Sequence, residues 1–170
     1  MSNSQLSEAT ESSVTTVTLP ARSEIASSDT WDLGSLYQSV QQWNEDYERA
    51  ENCLEKYGSF QGRLSESAET LAELLAFDSE TEQLMERLGY YAFLRLTENQ
   101  ADADCQALES RMQNLGARAA EASSWIRPEL LAIDAAAMSS LMASNCLQHY
   151  QLLLTRILRY RDHTLSPAEE

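Results

Sequence analysis

The stretch CQALESRMQNLGARAAEASSWI, from Cys105 to Ile126, decides the fold class of this chain. Apolar or small residues recur along it at alternating steps of three and four positions: Cys105, Leu108, Met112, Leu115, Ala119, Ala122 and Ile126. Such spacing places one continuous apolar stripe on an α-helix. The stretch therefore predicts a long amphipathic helix, which Pro128 is expected to end.

The same period continues on both sides of this stretch. Upstream, it predicts a helix from Val40 to Tyr57, because Val40, Trp43, Tyr47, Ala50, Leu54 and Tyr57 share one face and Gly58 follows as a stop. Downstream, it predicts short helices over Pro128–Ile133 and Asp134–Met142 and a last helix from Leu147 to Tyr160.

Two further helices are predicted between these elements. The first runs from Glu66 to Phe77. The second begins at Ser79, because Glu82 stands three residues later as in a capping box, and it continues to Leu96. Nearly every residue from Leu88 to Leu96 is apolar or aromatic, so this helix is expected to be central and buried on most sides.

These elements predict an all-α protein, built as a multi-helix antiparallel bundle-like lobe. Residues 1–18 are rich in Ser, Thr and Glu and are expected to form a disordered tail, followed by an extended or irregular lead-in over residues 19–38. The helical lobe itself is expected over residues 39–162. Residues 163–170 are interpreted as the start of a truncated following segment, because Ser166–Glu170 has the pattern of a helix start.

The charge of the chain restricts its partners. It has 170 residues, 27 of them acidic and 12 basic, which gives a net charge of −15 at pH 7. Such a chain repels both a phosphate backbone and an anionic membrane surface. No run of apolar residues is long enough to cross a bilayer. Nucleic acid and membrane are therefore excluded as expected partners.

The cysteines and the N-terminus indicate a compartment. Cys53, Cys105 and Cys146 are odd in number and widely spaced, unlike a secreted disulfide framework. The segment Met1–Thr18 has neither the basic nor the apolar region of a signal peptide. We therefore expect three reduced thiols and a cytoplasmic location.

No complete catalytic site is found among the residues that carry chemistry. His149 and His163 are the only histidines, and neither belongs to an H-E-x-x-H or Glu-x-x-His motif. Cys105 and Cys146 are interpreted as packed, inert thiols. Accordingly, no catalytic, cofactor-binding or metal-binding residue is assigned in this chain.

Two further clusters are interpreted structurally. Arg156, Arg159 and Arg161 are expected to interact with the dipole at the C-terminus of the last helix, with an anion site as the less favoured alternative. Tyr90, Tyr91 and Phe93 are expected to lie in the core or in a contact between helices.

Several strings, taken in order, resemble one known family. They are SDTWDLGSLY (Ser28–Tyr37), GRL (Gly62–Leu64), LAELLAFD (Leu71–Asp78), RLGYYAFLRLTENQAD (Arg87–Asp102), ASSWIRPELLAI (Ala122–Ile133) and ILRYRDHTLSPAEE (Ile157–Glu170). In this order and spacing they resemble the N-terminal region of oligoendopeptidase F, over about Leu19 to Glu170. The resemblance implies a zinc metallopeptidase of the thimet-like superfamily, all-helical and several times longer than this chain.

The resemblance also implies how the enzyme is divided. Its H-E-x-x-H zinc motif lies in the C-terminal part, and its N-terminal helices cover a deep cleft that admits short peptides. The chain is therefore interpreted as an N-terminal lobe that is inactive alone, with the missing catalytic part and oligopeptide substrates as its partners. The alternative is a stand-alone helical interaction module derived from a truncated peptidase gene. A lobe is expected to expose a contiguous apolar patch, and a module a polar exterior.

Overall fold

A computed structural model describes residue 20 and residues 22–163. The chain divides into two compact units, Met1–Thr30 and Trp31–Glu170. In the first unit, short 3₁₀ helices span Arg22–Glu24 and Ser27–Asp29. The tail predicted at residues 1–18 and the truncated segment predicted at 163–170, except His163, lie outside the described residues.

The second unit starts with a 3₁₀ turn at Leu33–Ser35 and the helix α1, Val40–Lys56. Ser39 caps α1 by accepting a hydrogen bond from the Gln42 backbone N–H. Trp43, Tyr47, Ala50 and Leu54 are buried on one face, as their spacing predicts. A 3₁₀ turn at Tyr57–Ser59 follows directly.

The next helix corrects the prediction of two helices between Glu66 and Leu96. A single helix of 31 residues, α2, runs from Ala68 to Glu98 and is capped by Ser67. The predicted cap at Ser79 lies inside it. No Gly or Pro stands near that point, and the Thr81 hydroxyl donates to the Phe77 carbonyl within the helix at 2.8 Å. A capping-box pattern alone therefore does not interrupt a helix whose apolar face continues.

The remaining helices are α3, Ala103–Ser123, α4, Ile126–Ala132, α5, Ala135–Met142, and α6, Gln151–Leu158. The prediction that Pro128 ends a helix is wrong. Pro128 instead stands in the first turn of α4, where its missing N–H costs nothing. The last predicted helix is divided, because Asn145–Tyr150 is 3₁₀ before α6 begins.

The core forms where α1, α2 and α3 pack against one another. Trp43 is fully buried at its centre and donates its indole N–H to the Leu88 carbonyl oxygen at 3.0 Å. The Arg111 guanidinium lies over the rings of Trp43 and Tyr47, 4.7 and 4.2 Å from their centroids. The described residues contain helices and turns and no strand, which confirms the all-α prediction.

Within the described range, no helix combines the length and the apolar character needed to span a bilayer.

Candidate functional site

Three contacts hold the helical body together, and each joins two of the family-like strings. The Trp31 backbone N–H donates to the Glu98 carboxylate at 3.1 Å, which fixes the start of the body to the end of α2. The Arg87 guanidinium donates to the Tyr37 hydroxyl at 3.0 Å. Both side chains also bond to the Asp46 carboxylate on α1.

The third contact involves Glu129 on α4. Its two carboxylate oxygens accept hydrogen bonds from the backbone N–H groups of Gly62 and Leu64, at 2.8 and 2.9 Å. Gly62 has a φ of +80°, a conformation that favours glycine. This contact joins the strings GRL and ASSWIRPELLAI in space. The roles that the structure gives these residues are structural.

The most distinctive surface of the body is an exposed seam on α2. It consists of Gln83, Glu86, Tyr90, Phe93 and Thr97, which recur at steps of three, four, three and four and are all exposed. At its centre, Tyr90 is 55% and Phe93 53% exposed. The expectation that Tyr90 and Phe93 lie in the core or in a contact between helices is therefore not met among the described residues, whereas Tyr91, 3% exposed, does lie in the core.

Sequence reasoning missed the seam because the exposed stripe and the buried stripe of α2 are both apolar near Tyr90. The signal that could have found it is periodicity. Leu84, Leu88, Tyr91 and Ala92 already complete the buried face, so Tyr90 and Phe93 fall on the opposite one. A helix that is apolar on two faces can bury both only if a second partner covers the other face.

An acidic groove of about 470 Å³ borders one side of the seam, between α2 and α3. Asp78, Glu82 and Glu86 line its α2 wall, and small residues such as Gly116 and Ala119 line its α3 wall. Burial, and then the charges of Asp78 and Glu86, raise the pKa of Glu82. The pKa of Tyr57 is raised by burial and by its hydrogen bond to Asp78 at 2.7 Å. The groove therefore has a negative field that favours cations.

A second groove, of about 400 Å³, lies on the other side, between α1 and α2. Arg49 and Arg87 line it together with Glu80, Gln83 and Leu84. Both arginines contact the Asp46 carboxylate, so their charges are already partly neutralised. The two grooves give the seam an acidic flank and a flank of paired charges.

The candidate nucleophiles and metal ligands do not assemble into a site. His149 and His163 are exposed on separate 3₁₀ helices. Cys105 is buried, whereas Cys146 is exposed with its sulfur 3.2 Å from the Ser144 hydroxyl, so the expectation of a packed thiol is wrong for Cys146. Among the residues that the structure describes, no group of three or more His, Cys, Asp or Glu side chains could hold a metal ion.

Among the arginines near the end of the chain, the prediction for Arg161 requires a correction. The Arg161 guanidinium donates to the carbonyl oxygens of Leu131 and Ile133, at 3.1 and 2.9 Å. Arg161 therefore satisfies carbonyl oxygens at the C-terminal end of α4 and not those at the end of α6. Arg127 on α4 lies over the Tyr160 ring, 4.3 Å from its centroid, and strengthens the same contact.

Comparison with known sequences identifies relatives of this body. A family model described as Oligopeptidase F matches residues 129–170. The oligopeptidase PepF of Bacillus subtilis is 29% identical over 153 residues, which are 89% of this chain and 23% of that protein. The group B oligopeptidase PepB of Streptococcus agalactiae is 25% identical over 150 residues, 88% of this chain and 25% of that protein.

Solved structures agree with these relatives. A putative peptidase from Chlamydophila abortus superposes with a TM-score of 0.75 at 26% identity, covering 87% of this chain and 25% of that one. The oligoendopeptidase-F of Enterococcus faecium shares the fold, with a TM-score of 0.68 over 76% of this chain and 25% of that one. The resemblance to the N-terminal region of oligoendopeptidase F is confirmed. The chain spans about a quarter of the length of the relatives it matches.

Proposed function

We propose that this chain is the N-terminal helical lobe of a longer, oligoendopeptidase F-like zinc metallopeptidase that hydrolyses short peptides. The observation that carries the proposal is the pattern of coverage. Nearly nine tenths of this chain aligns with about a quarter of the Bacillus subtilis and Streptococcus agalactiae relatives, and a similar share superposes on the putative peptidase from Chlamydophila abortus. The simplest explanation of such continuous coverage is that the chain occupies the corresponding position in a longer polypeptide.

The zinc chemistry of such an enzyme would lie outside this chain. A bound zinc ion supplies a water molecule of lowered pKa and polarises the peptide carbonyl. The two histidines stand fourteen positions apart, and no group of three or more potential ligands occurs among the described residues. The described residues therefore do not fit a zinc site, and we assign them no catalytic step.

The role of the lobe would be to enclose a peptide-binding cleft and to restrict access to it. This role requires a rigid body, because a wall that deforms cannot discriminate by size. The contacts of Glu98, Arg87 and Glu129 supply that rigidity by joining segments that are 41 to 67 residues apart in sequence. The odd number and wide spacing of Cys53, Cys105 and Cys146 support the proposal of a reducing, cytoplasmic compartment.

The alternative is a stand-alone helical interaction module derived from a truncated peptidase gene. The exposed apolar residues favour the lobe. Tyr90, Phe93, Leu152 and Leu153 are each at least 43% exposed on long or regular helices. A surface that evolved without a covering partner tends to replace such residues by polar ones, because contiguous apolar patches promote association.

Peptidase assays on two forms of the protein test the proposal. The purified 170-residue chain and the native protein from its source are incubated with an internally quenched peptide, with added zinc and with EDTA. We expect EDTA-sensitive cleavage by the native protein and none by the 170-residue chain. Zinc-dependent cleavage by the purified chain would falsify the assignment of catalysis to another part of the polypeptide. Absence of activity in the native protein would favour the interaction module.

A further inference from the structure

The exposed seam of α2 has the geometry of a helix-packing surface. Its five members recur at the 3-4-3-4 steps that characterise a seam between two helices, from Gln83 to Thr97. With a rise of about 1.5 Å per residue the seam is about 21 Å long, enough for four turns of a partner helix. Tyr90 and Phe93 stand at its centre, and polar residues stand at its ends.

The backbone of α2 argues against an extended peptide as the occupant. One recurring way for an extended peptide to bind is to pair its backbone with a free strand edge. The N–H and C=O groups in the middle of a helix are already paired within it, so α2 offers no such edge. The seam also lies on the exposed face of the helix, with the grooves on its two flanks. An occupant that packs side chains into side chains, as a helix does, fits this surface better.

Charge argues against a second copy of this chain. Asp78 and Glu82 line one flank of the seam, Glu86 belongs to the seam itself, and the whole chain carries a net charge of −15. Two copies that met at this face would bring like charges together at low dielectric. A helix with Lys or Arg residues beside its apolar stripe would instead neutralise the acidic flank.

We propose that the α2 seam docks an amphipathic helix with a basic flank, and that this helix belongs to the same, longer polypeptide. The inference rests on the proposed function. Relatives are about four times as long as the matched region, and a polypeptide of that length would contain further helices. Tyr90 and Phe93 insert between residues of the partner helix, and its basic residues face Glu82 and Glu86. The seam is thus the contact by which the lobe is held against the rest of the enzyme.

Site-specific photo-crosslinking in the native protein tests the proposal. The photoreactive amino acid p-benzoylphenylalanine is introduced at Phe93 of the gene in its source organism, and crosslinked peptides are identified by mass spectrometry. Gln113, which is exposed on α3 and is not a member of the seam, receives the same amino acid as the matched control. Because Phe93 is more than half exposed, the replacement keeps the fold, which circular dichroism verifies.

The expected result is an intramolecular crosslink from position 93 to a Lys- or Arg-flanked helical segment beyond residue 170. Its yield should exceed that from position 113 by roughly tenfold, since only a packed side chain keeps its partner atoms in contact. The native protein could prove to be a heavy, EDTA-sensitive peptidase in which position 93 crosslinks to substrate peptide, to a second copy or to nothing. That result would overturn the docking proposal and leave the proposed function intact. A native product of 19.1 kDa would overturn the proposed function itself.

Discussion

Replacing Glu129 by alanine is expected to destabilise the chain by about 2–3 kcal/mol. Hydrogen bonds to a charged group contribute about 1.5–3 kcal/mol each, and the Glu129 carboxylate accepts two of them, from Gly62 and Leu64. We take less than their sum because Glu129 is only partly buried and the two bonds share one side chain. Leu64 is fully buried, so its backbone N–H loses its partner where water has poor access.

Thermal unfolding followed by circular dichroism measures this effect. For a domain of this size, the loss corresponds to a decrease in Tm of roughly 5–10 °C. Glu69→Ala is the matched control, because Glu69 also lies in the first turn of a helix but is exposed. It tests the contribution of the helix dipole alone, about 0.5 kcal/mol. If Glu129→Ala and Glu69→Ala lower Tm equally, the clamp between α4 and the Gly62 turn does not stabilise the fold, and our reasoning is refuted.

Three further changes have expected outcomes. Trp43→Ala should cost about 3–5 kcal/mol by opening a cavity in the core, seen as a lower urea midpoint by circular dichroism; a loss below about 1 kcal/mol would contradict the central position of Trp43. Glu82→Gln should raise Tm at pH 7, because folding raises the pKa of this carboxyl and the folded state therefore loses stability as the pH rises through that pKa. The gain in Tm should vanish below about pH 4, where Glu82 is protonated in both the folded and the unfolded state. A gain in Tm that does not depend on pH would refute this cause. The double change of Tyr90 and Phe93 to serine should alter the unfolding free energy by less than about 0.5 kcal/mol, because both side chains are more than half exposed. The same change should lower the fluorescence of bound ANS. Unchanged fluorescence would contradict an accessible aromatic centre of the seam.

The fold class follows from the sequence because apolar periodicity records which face of each helix is buried. The stripe from Cys105 to Leu115 lies in the core as predicted, and so do Trp43 and Leu54 on α1. Periodicity says little about where a helix ends. The boundary predicted at Ser79 fails because local capping signals are weak compared with the burial of an apolar face that runs through them.

The candidate site could be predicted only in part. The sequence reveals that the motifs of a zinc hydrolase are absent and that an apolar surface for a partner is expected. It does not reveal which aromatic residues form that surface, because Tyr90 and Tyr91 are adjacent and identical, and only the phase of the whole helix separates them. The Arg161 contacts are also beyond sequence reasoning, since they join residues 28 and 30 positions apart through tertiary packing.

The intact mass of the native protein tests the central claim most directly. An antibody raised against the purified chain recovers the protein from its source, and mass spectrometry gives the mass of the species that contains this sequence. The chain itself has a mass of 19.1 kDa and spans about a quarter of its relatives. Our account predicts a species several times heavier, in which this chain forms the N-terminal lobe. A species of 19.1 kDa would contradict the account.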